Sequence, residues 1–437
     1  MPVMRDYYCS STSKAGYVWQ PMDLICQSGY LDNGFAPKLI DCAVLGWDRT
    51  QALDRIKEIN PAAIFSLVGT AAVPDDFEFL AEAFRETGAR IFVSGDLARF
   101  HPHKILEAYP FIEGVVLDFT SGDLADLLAG RPGPFPSLAL RTEPLGELPV
   151  AKGEFDYPIP RHDLFLSLPY RMTFLGRPFA SILANYGCPF RCRYCNSCTI
   201  GFSRRSPDNL FEELDYLHGR AIRYLFVKDF TFNAVPDEAR MILERWISRA
   251  YKFRWIGYFR AERIDGVLAG LLARTGCQMA QIGIETADAD ILRGVKPGAD
   301  VNGLEQGIAR LREAGVPFGG HFVIGLPGED DRSFERTIEL SRRLGLSYAS
   351  FNIFTPRPGS ALADSESEIC AARMDPSVSR DSGGSGDALS LRVREANRRF
   401  FLRPAYLLTL LKNIRTPRVF LSLAAMGASL LRQRLER

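Results

Sequence analysis

The chain has 437 residues, enough for two or three domains of about 100–200 residues each. Its formal net charge of +1 at pH 7 does not fit a general binder of polyanions, and no aromatic platform for nucleic acid accompanies its basic stretches. Nine cysteines are too sparse for a disulfide scaffold. Because residues 1–10 lack a signal-peptide core and no run reaches about 18 apolar residues, the sequence predicts a cytoplasmic protein.

Residues 1–130 alternate short apolar runs with helical patterns, which predicts a Rossmann-like α/β domain with a parallel sheet. Ligands of such sheets bind at the carboxyl ends of the strands, so a binding crevice is expected at residues 11–20, 69–73 and 95–103. His101 and His103 in the last of these loops are interpreted as solvent-facing residues. The predicted strands are residues 6–10, 38–45, 62–68, 89–94 and 114–118.

Residues 131–175 are rich in proline and glycine and are predicted to be a linker. From 176 to 365 the chain contains six strand–helix units, which predict a partial (β/α)6 barrel with its active site at the carboxyl ends of the strands. The predicted strands are residues 181–187, 224–228, 254–259, 278–284, 318–324 and 348–354.

The last segment, residues 366–437, is predicted to be a flexible loop followed by a basic helical region. Residues 392–437 contain 11 Lys or Arg and 2 Asp or Glu, a local charge of 11 − 2 = +9. Such a region favours either an amphipathic helix on an anionic membrane or a helix that packs on the barrel with its charges in water. The protein is therefore expected in the cytoplasm, with association at a membrane as the alternative.

Three cysteines follow the first predicted barrel strand in a CxxxCxxC spacing: Cys188, Cys192 and Cys195. Thiolates at short spacing hold zinc or iron–sulfur centres, and a structural zinc site needs a fourth ligand. Three thiolates on a four-iron cluster leave one iron open for another ligand, so the spacing indicates reactive chemistry. Cys198 lies three residues further on and is interpreted as a bystander.

With Tyr194 as the aromatic residue before the third cysteine, this motif resembles the signature of the radical S-adenosylmethionine (SAM) enzymes. In that family the open iron of a 4Fe–4S cluster binds the amino and carboxylate groups of SAM. An electron from the cluster then cleaves SAM to a 5′-deoxyadenosyl radical. The resemblance implies that Tyr194 presents its backbone to the adenine edge.

Two polar residues follow the second and third predicted barrel strands. Asp229 occupies a place where the family often has an acidic or glycine-rich segment, which implies a contact with the SAM amino group; a capping or loop role is the alternative. Arg260 suits a carboxylate or a ribose-bearing ligand, and an ordinary salt bridge is the alternative.

The fourth and fifth strands end in segments that resemble one large branch of the same family. Glu285, in Gly-Ile-Glu-Thr, is expected to be buried and to accept hydrogen bonds from ribose hydroxyls. Gly325 opens a Gly-Leu-Pro-Gly-Glu segment, which the resemblance places beside adenine and ribose, since glycine permits a close approach of backbone to ligand. No catalytic acid or base is predicted.

The whole layout resembles the cobalamin-binding-domain branch of the radical SAM enzymes, which includes cobalamin-dependent methyltransferases and the anaerobic magnesium-protoporphyrin cyclase. The resemblance implies a 4Fe–4S cluster, SAM and cobalamin as cofactors. The Asp-x-His-x-x-Gly signature, whose histidine ligates cobalt, is absent from residues 1–130. Cobalamin is therefore expected without a histidine ligand, and a structural or substrate-binding domain is the alternative.

By this resemblance the expected reaction is methylation of an unactivated carbon, in which one SAM supplies the methyl group and a second generates the substrate radical. Radical oxidation, cyclisation or rearrangement without methyl transfer is the second expectation, and a non-catalytic iron–sulfur or cobalamin carrier is the third. The expected partners are a small-molecule substrate, such as a lipid or a tetrapyrrole-like compound, and an electron donor such as flavodoxin or ferredoxin.

Overall fold

The computed structural model describes residues 3–6, 9–12, 18–363 except 33, 144–145, 173–175, 356 and 358, and 385–406 except 405. The first elements are two short antiparallel strands, β1 (Val3–Asp6) and β2 (Cys9–Thr12). The predicted strand at residues 6–10 is therefore wrong: this part of the chain pairs with itself and adds no strand to the parallel sheet that follows.

The N-terminal sheet has four strands in the order β3-β4-β5-β6. The first three are parallel, and β6 runs antiparallel to β5. The strands are β3 (Ala63–Leu67), β4 (Arg90–Ser94), β5 (Ile112–Val116) and β6 (Leu138–Leu140). The helices are α1 (Met22–Tyr30), α2 (Cys42–Leu45), α3 (Arg49–Ile59), α4 (Val73–Thr87), α5 (Asp96–Phe100), α6 (Pro102–Ala108) and α7 (Asp123–Leu128).

The prediction of a strand at residues 38–45 is wrong, because α2 occupies the end of that stretch. The Asp41 side chain accepts a hydrogen bond from the Val44 amide at 3.2 Å, which caps the first turn. Gly46 then ends the helix in the left-handed conformation, with φ of 68°. A side-chain cap and a terminal glycine outweigh the apolar run that favoured a strand.

The proline-rich segment predicted as a linker contributes to both halves of the molecule. Its residues 138–140 form β6 of the N-terminal sheet, and β7 (Glu154–Phe155) pairs with β10 (Phe202–Arg205), which also pairs with β9 (Asn185–Gly187). The helix α8 (His162–Leu166) follows β7. The proline and glycine residues of this segment therefore led to the prediction of a linker where the chain forms short strands.

The central sheet consists of six parallel strands in the order β15-β14-β13-β12-β11-β8. The strands are β8 (Ala180–Ile182), β11 (Tyr224–Val227), β12 (Arg254–Phe259), β13 (Cys277–Glu285), β14 (Phe318–Ile324) and β15 (Tyr348–Ile353). The helices are α9 (Pro207–Gly219), α10 (Pro236–Ser248), α11 (Gly266–Arg274), α12 (Ala289–Val295), α13 (Val301–Glu313), α14 (Asp331–Arg343) and α15 (Ser385–Phe401).

The two faces of the central sheet differ in what they pack against. One face joins the helices in an apolar core that contains Leu225, Trp255 and Ile282. The alternate residues of the same strands, such as Phe226 and Ile256, belong to a second core shared with α1 and with residues of the N-terminal sheet. Because side chains alternate along a strand, every residue of the central sheet can be assigned to the helix-covered face or to the opposite, inner face.

The C-terminal helix α15 packs on the edge of the central sheet, with Ala396 and Phe400 fully buried. Arg392 pairs with Glu329 on the loop after β14 and with Asp331, the first residue of α14. The described part of the basic segment is therefore a helix packed on the sheet, whereas residues 407–437, on which the membrane prediction depends, lie outside the described residues. Among the described helices, none is long and apolar enough to cross a bilayer.

Candidate functional site

The three cysteines of the motif lie on the loop that leaves β9. Gly187 has φ of 77°, and a Cβ at this position would lie 2.1 Å from the Gly201 carbonyl oxygen, so only glycine fits. The Cys188 amide donates to the same carbonyl at 2.8 Å. Farther along the loop, the Cys195 amide donates to the Cys192 carbonyl at 3.1 Å. These bonds hold the loop as a compact turn at the carboxyl end of the central sheet.

The three thiols of the motif are shielded from solvent, as the ligands of an iron–sulfur cluster would be. Burial raises the pKa of Cys188 to about 11 and of Cys192 to about 12, and it also raises the pKa of Cys195. Nearby cations oppose this rise: Arg260 and Lys296 act on Cys192. Thiols of this kind lose their protons when a metal binds, so iron–sulfur assembly would release protons here.

The remaining cysteine of the loop, Cys198, is half-buried, and its thiol donates to the Cys195 carbonyl at 3.8 Å. No three Cys, His, Asp or Glu side chains in the described part of the chain are arranged to hold a metal ion. A mononuclear zinc site needs such a convergence, whereas each thiolate of a four-iron cluster binds a different iron atom.

Glu285 stands at the end of β13 in a strained backbone conformation. Its φ is 66°, which is uncommon for a residue other than glycine, and the register with β14 shifts between Gly283 and Glu285. Left-handed backbone conformations of residues other than glycine and strand bulges concentrate at functional sites, where they set the direction of a side chain. The sequence prediction that Glu285 is buried is confirmed, since it is 5% exposed.

The carboxylate of Glu285 joins the cysteine loop to the loop after α12. Tyr194 donates its hydroxyl hydrogen bond to Glu285, and burial together with this negative charge raises the pKa of Tyr194 well above its usual range. Lys296 lies 3.4 Å from Glu285 Oε1 and donates to the Gly283 carbonyl at 2.5 Å. Among the described residues, the partners of the Glu285 carboxylate are therefore one cation and one hydroxyl, and no backbone amide donates to it.

Asp229 is fully buried just after β11, and its carboxylate holds the chain that leads into the cysteine loop. Oδ1 accepts from the Ala184 and Asn185 amides at 2.8 and 3.0 Å, and Oδ2 accepts from Asn185 Nδ2 at 2.9 Å. Burial raises the pKa of Asp229 to about 7 against these hydrogen bonds. The predicted contact with SAM stays a prediction; the observed contacts position the loop.

Arg260 follows β12 and reaches the cysteine loop. Its guanidinium lies 4.1 Å from the centre of the Phe190 ring, and Nε donates to Glu262 at 2.5 Å. The side chain is 6% exposed, and its Nη1 is buried without a hydrogen-bond partner among the described residues. An unpartnered buried donor is costly, so this atom is poised for an acceptor that the protein does not supply.

Gly325 directly follows β14 with φ of 86°. A Cβ here would lie 2.8 Å from Leu389 Cδ2 of α15, so the absent side chain makes room for the C-terminal helix. Its amide donates to Glu329 Oε1 at 3.0 Å. The glycine requirement at this position is explained by protein packing, and the predicted backbone contact with the cofactor stays a prediction.

Sequence reasoning missed a group of polar residues on the inner face of the central sheet. His321 Nε2 lies 2.9 Å from Gln281 Oε1, and the Tyr258 and His321 ring centres are 5.9 Å apart. Burial lowers the pKa of His321 to about 4, so the imidazole is neutral near pH 7. Neighbouring Asn352 Nδ2 donates to Ser350 Oγ at 3.1 Å. The signal was the alternation of polar with apolar residues along predicted strands, which was not assigned to a face.

The comparisons with known proteins agree with this site. Residues 182–341 match the family model of the Radical SAM superfamily. This range contains all three motif cysteines, Asp229, Arg260, Glu285 and Gly325. The chain therefore carries a radical SAM domain, whose cofactors are a 4Fe–4S cluster and SAM, and the sequence prediction of this class of enzyme is confirmed.

Two curated relatives have names that mention methyl transfer. An uncharacterised methyltransferase of Pyrococcus horikoshii is 27% identical over 323 residues, 70% of this chain and 70% of the relative. The bacteriochlorophyllide d C-12(1)-methyltransferase of Chlorobaculum tepidum is 25% identical over 187 residues, 41% of this chain and 40% of the relative.

Two solved structures share the fold. The radical SAM methyltransferase TsrM from Kitasatospora setae, solved with cobalamin and a [4Fe–4S] cluster, has a TM-score of 0.65 at 20% identity over 83% of this chain and 78% of its own. The cobalamin-dependent SAM radical enzyme OxsB, solved with aqua-cobalamin and SAM, has a TM-score of 0.60 at 16% identity over 75% of this chain and 50% of its own.

Proposed function

We propose that this protein is a cobalamin-dependent radical SAM methyltransferase that acts on an unactivated carbon of a small molecule. The observation that carries the proposal is the meeting of three features at one end of the central sheet: the cysteine loop, the strained Glu285 and the unpartnered Nη1 of Arg260. The methyltransferase names of two relatives and the cobalamin in two structures with the same fold support the choice of reaction.

Within this proposal the domain arrangement follows the sequence prediction. Residues 1–130 are a Rossmann-like cobalamin-binding-type domain, to which β6 of the connecting segment 131–175 adds an antiparallel strand. Residues 176–365 are a partial (β/α)6 barrel, and residues 366–437 are the C-terminal segment. The order of six parallel strands supports the barrel. The three parallel strands of the smaller sheet support the Rossmann-like domain.

Each site residue has a role that its contacts support. Cys188, Cys192 and Cys195 would hold the cluster, which would supply the electron for the cleavage of SAM. Glu285 accepts the ribose hydroxyls, because its carboxylate retains capacity beyond Tyr194 and Lys296.

The remaining site residues act on the ends of SAM or on the loop around it. Arg260 Nη1, which has no partner among the described residues, would donate a hydrogen bond to the SAM carboxylate. Tyr194 and Gly325 border the adenine with their backbones. Asp229 positions the cysteine loop through Ala184 and Asn185, and a direct bond to the SAM amino group would compete with those three contacts.

Cobalamin belongs, in this proposal, at the carboxyl ends of β3, β4 and β5, where it would supply a carrier for the methyl group. Short polar side chains there support the fit: the Ser94 hydroxyl donates to Asp23 at 2.8 Å, and Thr70 donates to Asp96 at 2.9 Å. His103 is exposed and His101 is half-buried beside this edge. No histidine stands in the signature position, so this edge of the sheet would hold cobalamin without a histidine ligand from that motif.

The substrate, in this proposal, lies on the inner face of the central sheet. Tyr258, His321, Ser350 and Asn352 are half-buried there, and Gln281 orients the imidazole. This face presents aromatic rings and neutral hydrogen-bonding groups, which suits an aromatic or other apolar small molecule with a few polar atoms. The tetrapyrrole-like and lipid classes both meet this description, and an electron donor such as flavodoxin or ferredoxin would supply the electron.

The experiment that tests this function needs no knowledge of the substrate. Protein reconstituted anaerobically with iron and sulfide is incubated with SAM and a reductant, with and without hydroxocobalamin. The proposal predicts 5′-deoxyadenosine in both reactions and S-adenosylhomocysteine only with cobalamin. Formation of 5′-deoxyadenosine alone would favour radical oxidation, cyclisation or rearrangement, and neither product would favour a non-catalytic carrier.

A further inference from the structure

A short segment after β15 connects the cysteine loop with the N-terminal sheet. At its far end the Leu362 amide donates to the Arg193 carbonyl, between two cluster cysteines, at 3.0 Å. Near its middle, Gly359 has φ of 77°, and a Cβ there would lie 2.5 Å from the Phe100 ring of α5. The segment therefore touches both parts of the molecule at once, and glycine is required for the second contact.

Arg357 is the charged residue of this segment, and it pairs across the boundary between the two sheets. Its Nη1 lies 3.5 Å from Asp96 Oδ2, with the arginine side chain 14% exposed and the aspartate fully buried. The Ser360 amide donates to the Arg357 carbonyl at 2.9 Å, so Arg357 lies in the same turn of chain that Leu362 joins to the cysteine loop. Ion pairs with so little water around them are screened much less than surface pairs.

Asp96 in turn organises the loop after β3. Its carboxylate accepts from the Thr70 amide at 3.0 Å and from the Thr70 hydroxyl at 2.9 Å, and it accepts from the Leu97 amide at 2.8 Å. Thr70 belongs to residues 69–73, the loop at the carboxyl end of the N-terminal sheet. A chain of direct contacts therefore runs from this loop through Asp96 to Arg357, and the segment that carries Arg357 is bonded to the cysteine loop at the Arg193 carbonyl.

We propose that Arg357 is a positioning residue that couples the N-terminal sheet electrostatically to the iron–sulfur cluster, with Asp96 setting how much of its positive charge the cluster experiences. The proposal rests on the cluster of the radical SAM domain and not on cobalamin, so failure of the methyltransferase proposal leaves it standing. A cation near the cluster stabilises the reduced form, which carries one more negative charge, and a carboxylate paired with that cation offsets part of the effect.

This arrangement predicts opposite effects from its two members. Removing the positive charge in Arg357→Gln makes the cluster harder to reduce, and removing the negative charge in Asp96→Asn makes it easier to reduce. For a unit charge at roughly 10 Å and an effective dielectric constant of about 20, the expected change in the reduced-to-oxidised ratio at fixed potential is about tenfold. A tenfold change corresponds to about 59 mV in a one-electron potential.

The test is a redox titration of the full-length protein with its cluster reconstituted, followed by electron paramagnetic resonance of the reduced form. Arg357→Gln should lower the midpoint potential, Asp96→Asn should raise it by a smaller amount, and Arg357→Lys should stay near wild type because the charge is kept. Arg343→Gln is the matched control, since Arg343 pairs with Glu305 at the end of α14 that leads into the amino end of β15, and it should leave the potential unchanged.

Iron and sulfide are counted for each variant, so that only proteins with a full cluster are compared. An unchanged potential in Arg357→Gln would overturn the proposal. A shift of Arg357→Gln and Asp96→Asn in the same direction would also overturn it, because that pattern indicates a common structural disturbance.

Discussion

The N-terminal sheet and the central sheet each carry an acidic residue at the carboxyl ends of their parallel strands, but the two carboxylates differ in their hydrogen-bond partners. Asp96 of the N-terminal sheet is surrounded by donors of the protein itself, two of them from Thr70. Glu285 of the central sheet has a strained backbone, and its partners in the described part of the chain are one lysine and one tyrosine, with no backbone amide among them. A carboxylate whose acceptor positions are filled by donors of the protein organises a loop. A carboxylate on a strained backbone that still has unused acceptor positions is available to bind a ligand.

The largest effect expected on this comparison comes from the cysteine loop of the central sheet. Replacing Cys188, Cys192 or Cys195 with alanine removes a thiolate that no other residue supplies, so SAM cleavage should be abolished in each variant. Cys198→Ala is the matched control and should retain about four irons per chain with SAM cleavage largely intact. If Cys198→Ala is as damaging as the other three, the assignment of the ligands is wrong.

The next effect concerns Glu285 as a ligand-binding acid. Glu285→Gln keeps the shape of the side chain but weakens a charge-assisted hydrogen bond by roughly 1.5–3 kcal/mol. SAM affinity, measured by equilibrium binding to the reconstituted protein, should fall about ten- to hundredfold while the iron content stays constant. Glu313→Gln, an exposed site at the end of α13, should leave the affinity unchanged. Unchanged SAM affinity in Glu285→Gln would show that Glu285 has a structural role and does not bind SAM.

Asp229 is expected to behave as a structural acid and to show it in the pH dependence of stability. Its folded-state pKa of about 7 lies above the ordinary value of 3.8, so the folded protein retains a proton that the unfolded chain loses between about pH 4 and pH 7. The free energy of unfolding contributed by this group therefore falls as the pH rises through that window, by up to about 1.4 kcal/mol per unit of pKa difference.

The measurement is denaturant unfolding of wild type and Asp229→Asn at several pH values between 4 and 8. The stability advantage of wild type over Asp229→Asn should shrink as the pH rises and should level off above about pH 7. A difference between the two proteins that is the same at every pH would contradict the raised pKa.

A smaller and more selective effect is expected on the inner face of the central sheet. His321→Gln removes the neutral imidazole but keeps a polar side chain beside Gln281, so SAM affinity and 5′-deoxyadenosine formation without substrate should remain within about twofold of wild type. Binding or conversion of the substrate should weaken instead. Loss of SAM cleavage in His321→Gln would indicate that His321 contacts SAM or the cluster and not the substrate.

Much of the central sheet could be predicted from sequence, because each of its strands is an apolar run that precedes a helical pattern. The predicted strand at 254–259 coincides with β12, and that at 318–324 coincides with β14. The N-terminal region was less predictable: the apolar stretch at 38–45 ends in a capped helix, and residues 138–140 add a strand from within a proline-rich segment.

The site could be predicted only as far as local spacing reaches. The cysteine motif and Glu285 are visible in short segments, and their burial follows from the apolar runs before them. The bond from Tyr194 to Glu285 and the pair of Arg357 with Asp96 join residues that are far apart along the chain. Such contacts depend on how the strands and loops meet in space, and no sequence period encodes them.

Electron paramagnetic resonance of the reduced cluster with and without SAM shows whether the cysteine loop and Glu285 form the reacting site of a radical SAM enzyme. We expect a changed spectrum on addition of SAM in wild type, because SAM would bind the open iron. Glu285→Gln should need a much higher SAM concentration for the same change. If the spectrum of a complete four-iron cluster does not respond to SAM at any concentration, this loop and Glu285 are not the reacting site.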